Sequence, residues 1–591
     1  MRMTNKIMRN NSLYNINQNK ILEDKLSNQM TNQSKITRPS DDPVVAIRAL
    51  RLRTNVSTLT QYHDKNAADA AQWLGLTADA LTTIDEVLKK LYEQATSGAN
   101  KDFTADDLEI HLTQMKSLTR EFYDSGNVDY AGRFIFAGFR TDTAINFSAE
   151  NIKAMEKYKN DDDPTKNFPT YYQINEDLKH ADISTISYTN FGVLSDGLPP
   201  TATADESYEQ YVSNTTLYRM RLSYNNLDDG STMSITDNYG NKIAPLDAAT
   251  LAGLPVQNQN GTMVDAAGNP LNKDANGNLV YANGNPVMNS KGVMLNDDGT
   301  QVVDANGNPV AFKAAVMQYK EYDDPEAAYK AVADGTETGI AFIPSTGELV
   351  FSEQSYQEFY KEGDNFTISY NKSNWVEGDI NPAHYFKCSE FKPYVDDAGN
   401  LDYKQIAYNT VTKDQDIYYD VGFNQQIQVN TLTTEVFTHN VKRDMDDFQH
   451  CLDQLRGIET KISDIEKKME GLAEDSAEYK DLALQKEAAE KAQTHIRENI
   501  HNKFENQISK YQSYMDDNNL AITNNATRGS RLDLITTRLM NQKATFKELQ
   551  TDNEGIDITQ VAVELSSSEL TYQAALMATG KIMQTNLMNY I

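Results

Sequence analysis

RPSDDPVVAIRALRLR, residues 38–53, places two prolines four positions apart with Ser40, Asp41 and Asp42 between them. Pro39 lacks a backbone N–H and disfavours helical geometry in the residue before it, so it reads as a helix stop. Asp42 reads as the N-cap of a new helix and Pro43 as its first residue, where the missing N–H costs nothing. Ser40 and Asp41 would add acceptors and negative charge at the positive end of that helix. The stretch is a joint, and what lies on either side of it decides the fold.

Downstream, Val45, Ala49, Leu52, Val56, Leu59, His63, Asn66, Ala70 and Trp73 alternate at four and three residues, a coiled-coil seam with a polar step. The next turn signal, Ser97-Gly98, predicts a helix from Pro43 to about Thr96. Thr104 with Asp107 predicts a capped shorter helix with Leu108, Leu112, Met115 and Phe122 on one face. The far end of the chain mirrors this. Val441, Met445, Phe448, Leu452, Leu455, Ile458, Ile462, Ile465, Met469 and Leu472 form a second seam, with one extra step of three that overwinds a coiled coil. Helical composition restarts near Asp475 and runs to about Gln550, and a last amphipathic helix follows Gly555. Upstream of the joint, residues 1–33 hold eight asparagines and three glutamines around a thin apolar stripe of Met3, Ile7, Tyr14 and Ile21. A helix that polar buries too little to stand alone and needs partners.

Between about 145 and 430 the pattern changes to short alternating runs such as TLYRMRLSYNN, GSTMSITD and DNFTISYN, which predict strands. Within it, glycines 268, 277, 284, 292, 299 and 307 punctuate an array of Asn-Gly and Asp-Gly pairs flanked by apolar residues. Both turn residues of such hairpins need positive φ, which these residues supply. The Asp-x-Asn-Gly pieces echo a calcium loop, but its other ligands and closing glutamate are absent, so repeated hairpins are expected. The fold class is therefore mainly α-helical, with long coiled-coil-like helices from both chain ends and an inserted strand-rich (β or α+β) domain.

The 591 residues carry 55 basic and 85 acidic side chains, a formal net charge of -30. That charge argues against nucleic acid and against anionic lipid as partners. No apolar run approaches the roughly 18 residues of a membrane span. The first residues lack the apolar core of a cleaved signal peptide, and two cysteines give no disulfide framework. No catalytic constellation, cofactor motif or metal-ligand spacing stands out, so no enzyme, cofactor or metal is expected. Gly580-Lys581 is half a phosphate loop inside a helix. His384 and Cys388, four apart, could approach a metal, but without a second pair a surface loop is the better reading. His63 and His450 fall on coiled-coil stretches, as polar register-setting positions.

Taken together, these residues resemble a known family. The joint RPSDDPVVAIRALRLR after an Asn/Gln-rich helix resembles the N-terminal signature of flagellins and flagellar junction proteins. GNVDYAGRFIFAGFRTDTAINF, residues 126–147, with Gly132, Arg133, Phe134, Phe136 and Gly138, resembles the hook–filament junction family (hook-associated protein 3) and not flagellin. IYYDVGFNQQIQVNTLTTEVF, residues 417–437, resembles the strand pair with which that family returns to its helices, and the last 34 residues are also similar. The resemblance covers about 1–150 and 415–591. It implies a structural, extracellular flagellar subunit, exported by the type III route without a cleaved signal. Its partners would be a first junction protein, flagellin, copies of itself and an export chaperone. Flagellin itself and an extracellular coiled-coil adhesin or fibre remain the alternatives. The expected division is terminal assembly helices at 1–33 and 557–591, disordered in the monomer; a helical core at 34–150 and 431–556; and an outer domain at 151–430. The expected assembly interface is Ile7, Tyr14 and Ile21 with Leu565, Tyr572, Leu576, Ile582 and Leu587. The helix joint is Pro39, Ser40, Asp41, Asp42 and Pro43.

Overall fold

The computed structural model describes the chain apart from residues 1–4, 100–103, 161, 164–165, 201–206, 244–245, 247–253, 255, 258–262, 266, 275–277, 305–306, 308, 360–364, 398, 409–414 and 585–591. Its long helices are α1 (Asn5–Asn32), α2 (Pro43–Thr60), α3 (Ala68–Gly98), α4 (Ala105–Asp124), α5 (Asn440–Met469), α6 (Ala477–Glu554) and α7 (Ile558–Gln584). Both seams are helical but only partly buried: Val45, Leu52, Val56, Leu59, His63 and Asn66 of the first are half-buried, and Leu472 of the second lies past the end of α5. Ala49, Ala70 and Trp73 are buried, as are Met445, Phe448, Leu452, Leu455, Ile458 and Ile465. Thr104 and Asp107 form the expected capping box at the start of α4. The sequence did not signal the π-helical stretch Gln61–Ala67 that joins α2 to α3. The wider turn brings residues five apart together, and Gln61 Nε2 donates to Asn66 Oδ1 at 3.1 Å.

The described chain forms two compact units, and they cut across the three-part division expected from the sequence. One comprises Leu76–Ile417 with Asn430–Asn525; the other comprises Met1–Gly75, Tyr418–Val429 and Ala526–Ile591.

In the larger unit the strands are β1 (Tyr171–Lys179), β2 (Ile183–Asn190), β3 (Ser213–Arg221), β4 (Ser234–Thr236), β5 (Lys242–Ile243), β6 (Tyr319–Glu321), β7 (Ile340–Ile343), β8 (Glu348–Phe351), β9 (Asn365–Lys372), β10 (Lys387–Val395) and β11 (Leu401–Tyr408). They build a five-stranded sheet, β6-β7-β8-β3-β2, and a six-stranded sheet, β11-β10-β1-β9-β4-β5. Every pairing is antiparallel except β6 with β7, whose crossover is the helix Pro325–Ala333. Tyr172, Ile174, Phe366, Ile368 and Tyr370 of the larger sheet share one apolar core with Met220, Phe342, Leu349 and Phe351 of the smaller. Alternation along each strand supplies that face.

The glycine–asparagine array is a ribbon of small hairpins, but its turns differ from the expected type. Among the described residues only the glycines, 268, 284, 292, 299 and 307, adopt positive φ, and the residues before them, Asn283 and Asp298 included, do not. Antiparallel bridges six residues apart recur at Val264–Pro270, Val280–Pro286, Met288–Met294 and Val303–Pro309. N–H groups reach carbonyls eight residues back, from Leu271 to Met263, Val287 to Leu279 and Leu295 to Val287. Val287, Met294 and Val310 turn inward to the sheets' core. Asp265 and Asp274 each serve their own turn: Asp265 accepts from Asn269 N at 2.7 Å with one carboxylate oxygen and from Asn269 Nδ2 at 3.0 Å with the other, and Asp274 accepts from Asn278 in the same way.

In the smaller unit the joint differs from expectation in two places. The first helix stops at Asn32, not at Pro39. Gln33 adopts a left-handed φ of 52°, and the next residues cross the end of α6, where Lys35 N donates to Glu554 O at 2.7 Å. The Asp41 carboxylate faces backwards, accepting from Thr37 N at 3.0 Å and Arg38 N at 2.8 Å, so it holds the turn and does not cap α2. Asp42 is the N-cap as read, accepting from Val44 N and Val45 N at 3.0 and 3.1 Å, with Pro43 first in the helix. Arg53 Nε is bonded to both Glu554 oxygens, 2.9 and 3.1 Å away, which ties α2 to the end of α6.

Candidate assembly interface

In the smaller unit α1 packs along α7. Few residues are buried there: Leu26 on α1, and Val561, Ser568 and Thr579 on α7. Ile7, Tyr14 and Ile21, spaced by seven residues, are exposed. On α7, Leu565 and Tyr572 are half-buried and Leu576 is 44% exposed. Ile582 falls in α7 with its side chain outside the described residues, and Leu587 lies outside them altogether. A second exposed series of the same period, Val563, Leu570 and Met577, escaped the sequence reading because it lies off the most apolar face. Each helix thus keeps an apolar stripe turned outward, an arrangement that gains stability when another helix covers it.

The 126–147 signature is a knot inside the larger unit. Asp129–Tyr130 and Arg133–Phe134 form a two-residue hairpin around Ala131 and Gly132, both at positive φ as its turn requires. Phe136 is fully buried, edge-on to Phe437 at 5.5 Å, and its carbonyl accepts from Thr433 N at 3.0 Å and Thr433 Oγ1 at 2.7 Å. Gly138 has φ +61°, and a Cβ there would strike Gln415. Arg133 lies over the Tyr130 ring at 5.4 Å. These residues clamp the segment after α4 to the segment before α5.

His384 and Cys388 are not in a surface loop. Both are buried; His384 Nε2 lies 3.1 Å from Ala144 O, and Cys388 sits in β10. The loop expectation failed because the strand after Phe386 enters the core of the larger sheet. His63 lies in the π-helical stretch with Nδ1 2.5 Å from Asp64 Oδ1, and His450 on α5 is 3.5 Å from Glu326. Among the described residues no three His, Cys, Asp or Glu side chains are grouped to hold a metal, and no helix is long and apolar enough to cross a membrane.

A charged lock was not foreseen. Arg219 and Arg221 of β3 meet α5 and α6 within the larger unit. Arg219 bonds Glu348 at 2.6 Å and Asp447 at 2.9 and 2.5 Å; Arg221 bonds Asp444 at 2.8 Å and Asp447 at 3.1 Å. Lys503 reaches Asp447 at 3.0 Å and Lys510 reaches Asp444 at 2.7 Å. Burial opposes the charge on Asp447, yet Arg219, Lys503 and Arg221 hold its carboxyl well below the ordinary value. Its sequence signal was Asp444 and Asp447, each one residue before a seam position (Met445 and Phe448), a pair that on a helix alone reads as a solvated edge. Elsewhere in this unit, burial lifts Glu176 to about 7 and lowers His384 to about 4 and His439 to about 3.

Comparison with known proteins follows from this geometry. Residues 3–141 match the family described as the bacterial flagellin N-terminal helical region. The chain is also similar to two curated proteins, each called Flagellar hook-associated protein 3. The Salmonella typhimurium protein is 26% identical over 145 residues, covering 24% of this chain and 45% of the relative. The Escherichia coli protein is 27% identical over 154 residues, covering 26% and 48%. The chain spans about half the length of these relatives. Among solved structures it is similar to the flagellar junction protein FlgL from Legionella pneumophila, at 10% identity over 87% of this chain and 100% of that chain, TM-score 0.24. FlgL from Xanthomonas campestris aligns at 11% identity over 84% and 98%, TM-score 0.23. At these scores the structural likenesses add nothing to the fold described above.

Proposed function

We propose that this chain is a structural subunit of the bacterial flagellum, a junction protein that joins the hook, through a first junction protein, to the flagellin filament. The observation that carries the reading is the terminal pair: α1 and α7, from opposite ends of the chain, lie together and each leaves an apolar stripe uncovered. Ordering of these helices is completed by neighbouring subunits, and the larger unit is the self-standing part. The similarity to proteins named hook-associated protein 3 favours the junction over flagellin. The reading includes export without a cleaved signal, a chaperone that covers the terminal stripes before assembly, and no enzymatic role. A head-to-tail contact that does not close on itself generates the lattice such a layer must match.

Electron micrographs of intact flagella labelled against residues 150–430 test it. A band confined to the hook–filament boundary is expected. Label along the whole filament would make the chain a flagellin, and label absent from flagella would remove it from the organelle.

A further inference from the structure

In the larger unit the segment after β2, the helix Pro325–Ala333 and the middle of α5 line an open groove of about 720 Å³. Tyr188, Phe191 and Pro325 give it an apolar wall. On α5 it meets Gly457, where an added Cβ would have nothing within 4 Å. Its charged groups are four carboxylates, Asp196, Asp324, Glu326 and Asp453, with Lys330 and His450. Lys330 lies 3.3 Å from Asp196, and His450 lies 3.5 Å from Glu326. Asp324 and Asp453 are exposed and have no cation partner among the described residues. A partner that fills this groove must be apolar and must bring two positive charges of its own.

The smaller unit presents such a surface. Val44, Ile47 and Leu50 of α2 are 61%, 56% and 68% exposed, and residues three apart on a helix share a face. Arg48 and Arg51 stand exposed beside them, with no carboxylate partner among the described residues. The chain therefore shows, on two separate patches, an apolar ridge with two unmatched cations and an apolar-walled groove with two unmatched carboxylates. We propose that the Val44–Ile47–Leu50 ridge of one copy seats in the Asp324–Asp453 groove of a second copy, with Arg48 and Arg51 on the two carboxylates. Charge selects this occupant: another copy's surface, at a net charge of -30, repels the groove except where such a basic ridge meets it. Because ridge and groove are different patches, the contact is head-to-tail and repeats from copy to copy. It rests on the reading of the chain as a subunit that assembles with its own kind.

The test uses two variants of the full chain, Ile47→Cys and an epitope-tagged Ala327→Cys, co-expressed in place of the native protein. Both sites are exposed, and the native Cys388 and Cys451 are buried. A disulfide needs Cα atoms within about 7 Å, so mild oxidation of isolated flagella should yield a mixed, tagged–untagged dimer at least about tenfold above either homodimer. Incorporated subunits that form no mixed dimer, or only homodimers, overturn the proposal. Adding Arg48→Glu and Arg51→Glu to the Ile47→Cys chain should cut the mixed dimer at least about fivefold, and Asp453→Arg in the tagged chain should restore about half of it. A cut that Asp453→Arg does not reverse refutes the charge pairing. Gly457→Phe in the tagged chain, which fills the groove from an open position, should abolish the mixed dimer while the melting temperature stays unchanged. Where the cysteine variants stay out of flagella, the same oxidation of the purified chains at high concentration decides the contact: a mixed dimer supports it and its absence overturns it. If the unmodified chain also stays out, the assembly reading fails on its own account.

Discussion

The charged lock of the larger unit and the terminal helix pair of the smaller one solve opposite problems. Arg219, Arg221, Asp444 and Asp447 are sealed among their partners, so every charge is matched inside one chain. Ile7, Tyr14, Ile21, Val563, Leu570 and Met577 are apolar and left in water. Groups that a single chain can satisfy are buried, and groups it cannot satisfy wait on the surface. On the proposed function, the difference separates what holds this chain together from what it offers to others.

Breaking the lock should have the largest effect. Arg219→Met leaves Glu348 and part of Asp447 buried without their main cation. It should cost about 3–5 kcal/mol, read as a lowered midpoint in urea for the larger unit. Leu452→Asp, at a seam position that is 1% exposed, should cost several kcal/mol through an unpaired buried charge. Leu576→Asp sharpens the contrast: its effect on the monomer should stay within about 0.5 kcal/mol, while incorporation into flagella is lost. A large melting shift for Leu576→Asp would move α7 into the self-satisfied class.

Acid gives a graded version of the same test. His384 and His439 fold with lowered pKa values of about 4 and about 3. Their contribution is complete above about 6.5 and is lost as pH falls through that window. Glu176, raised to about 7, acts in the opposite sense and loses its contribution as pH rises from about 4.5. Each group can add a slope of up to about 1.4 kcal/mol per pH unit where its two states differ in protonation. The larger unit should therefore melt at lower temperature at pH 4.5 than at pH 7, and Glu176→Gln should steepen that fall. Smallest is Asp42→Ala, which removes the cap of α2 at a cost of about 1 kcal/mol and should appear as faster amide exchange at Val44 and Val45.

Much of this architecture was legible because it is periodic. The helical seams at Val45–Trp73 and Met445–Met469, the capping box at Thr104, the strands and the existence of the hairpin array follow from local spacing, while the turn type of the array does not, since only its glycines take positive φ. What escaped depends on partners distant in sequence. Asp444 and Asp447 look solvated until β3 supplies Arg221 and Arg219, more than 200 residues away. His384 and Cys388 look like loop residues until β10 enters a sheet. The end of α1 moved from Pro39 to Asn32 because the chain there crosses the end of α6. The π-helical stretch has no compositional mark, and its polar residues are explained only by what they reach, such as Asn66 Nδ2 on Asp420 O at 2.7 Å.

The central claim is that the terminal helices depend on neighbours and the larger unit does not. Amide exchange on the verified monomer, compared residue by residue with assembled protein, tests it most directly. In the monomer, amides of Asn5–Asn32 and Ile558–Gln584 should exchange within seconds, while those of Ala105–Asp124 and Asn440–Met469 persist for hours; on assembly the terminal amides should gain protection of at least about a hundredfold. Equal, strong protection of α1, α7 and α5 in the isolated monomer would contradict the account.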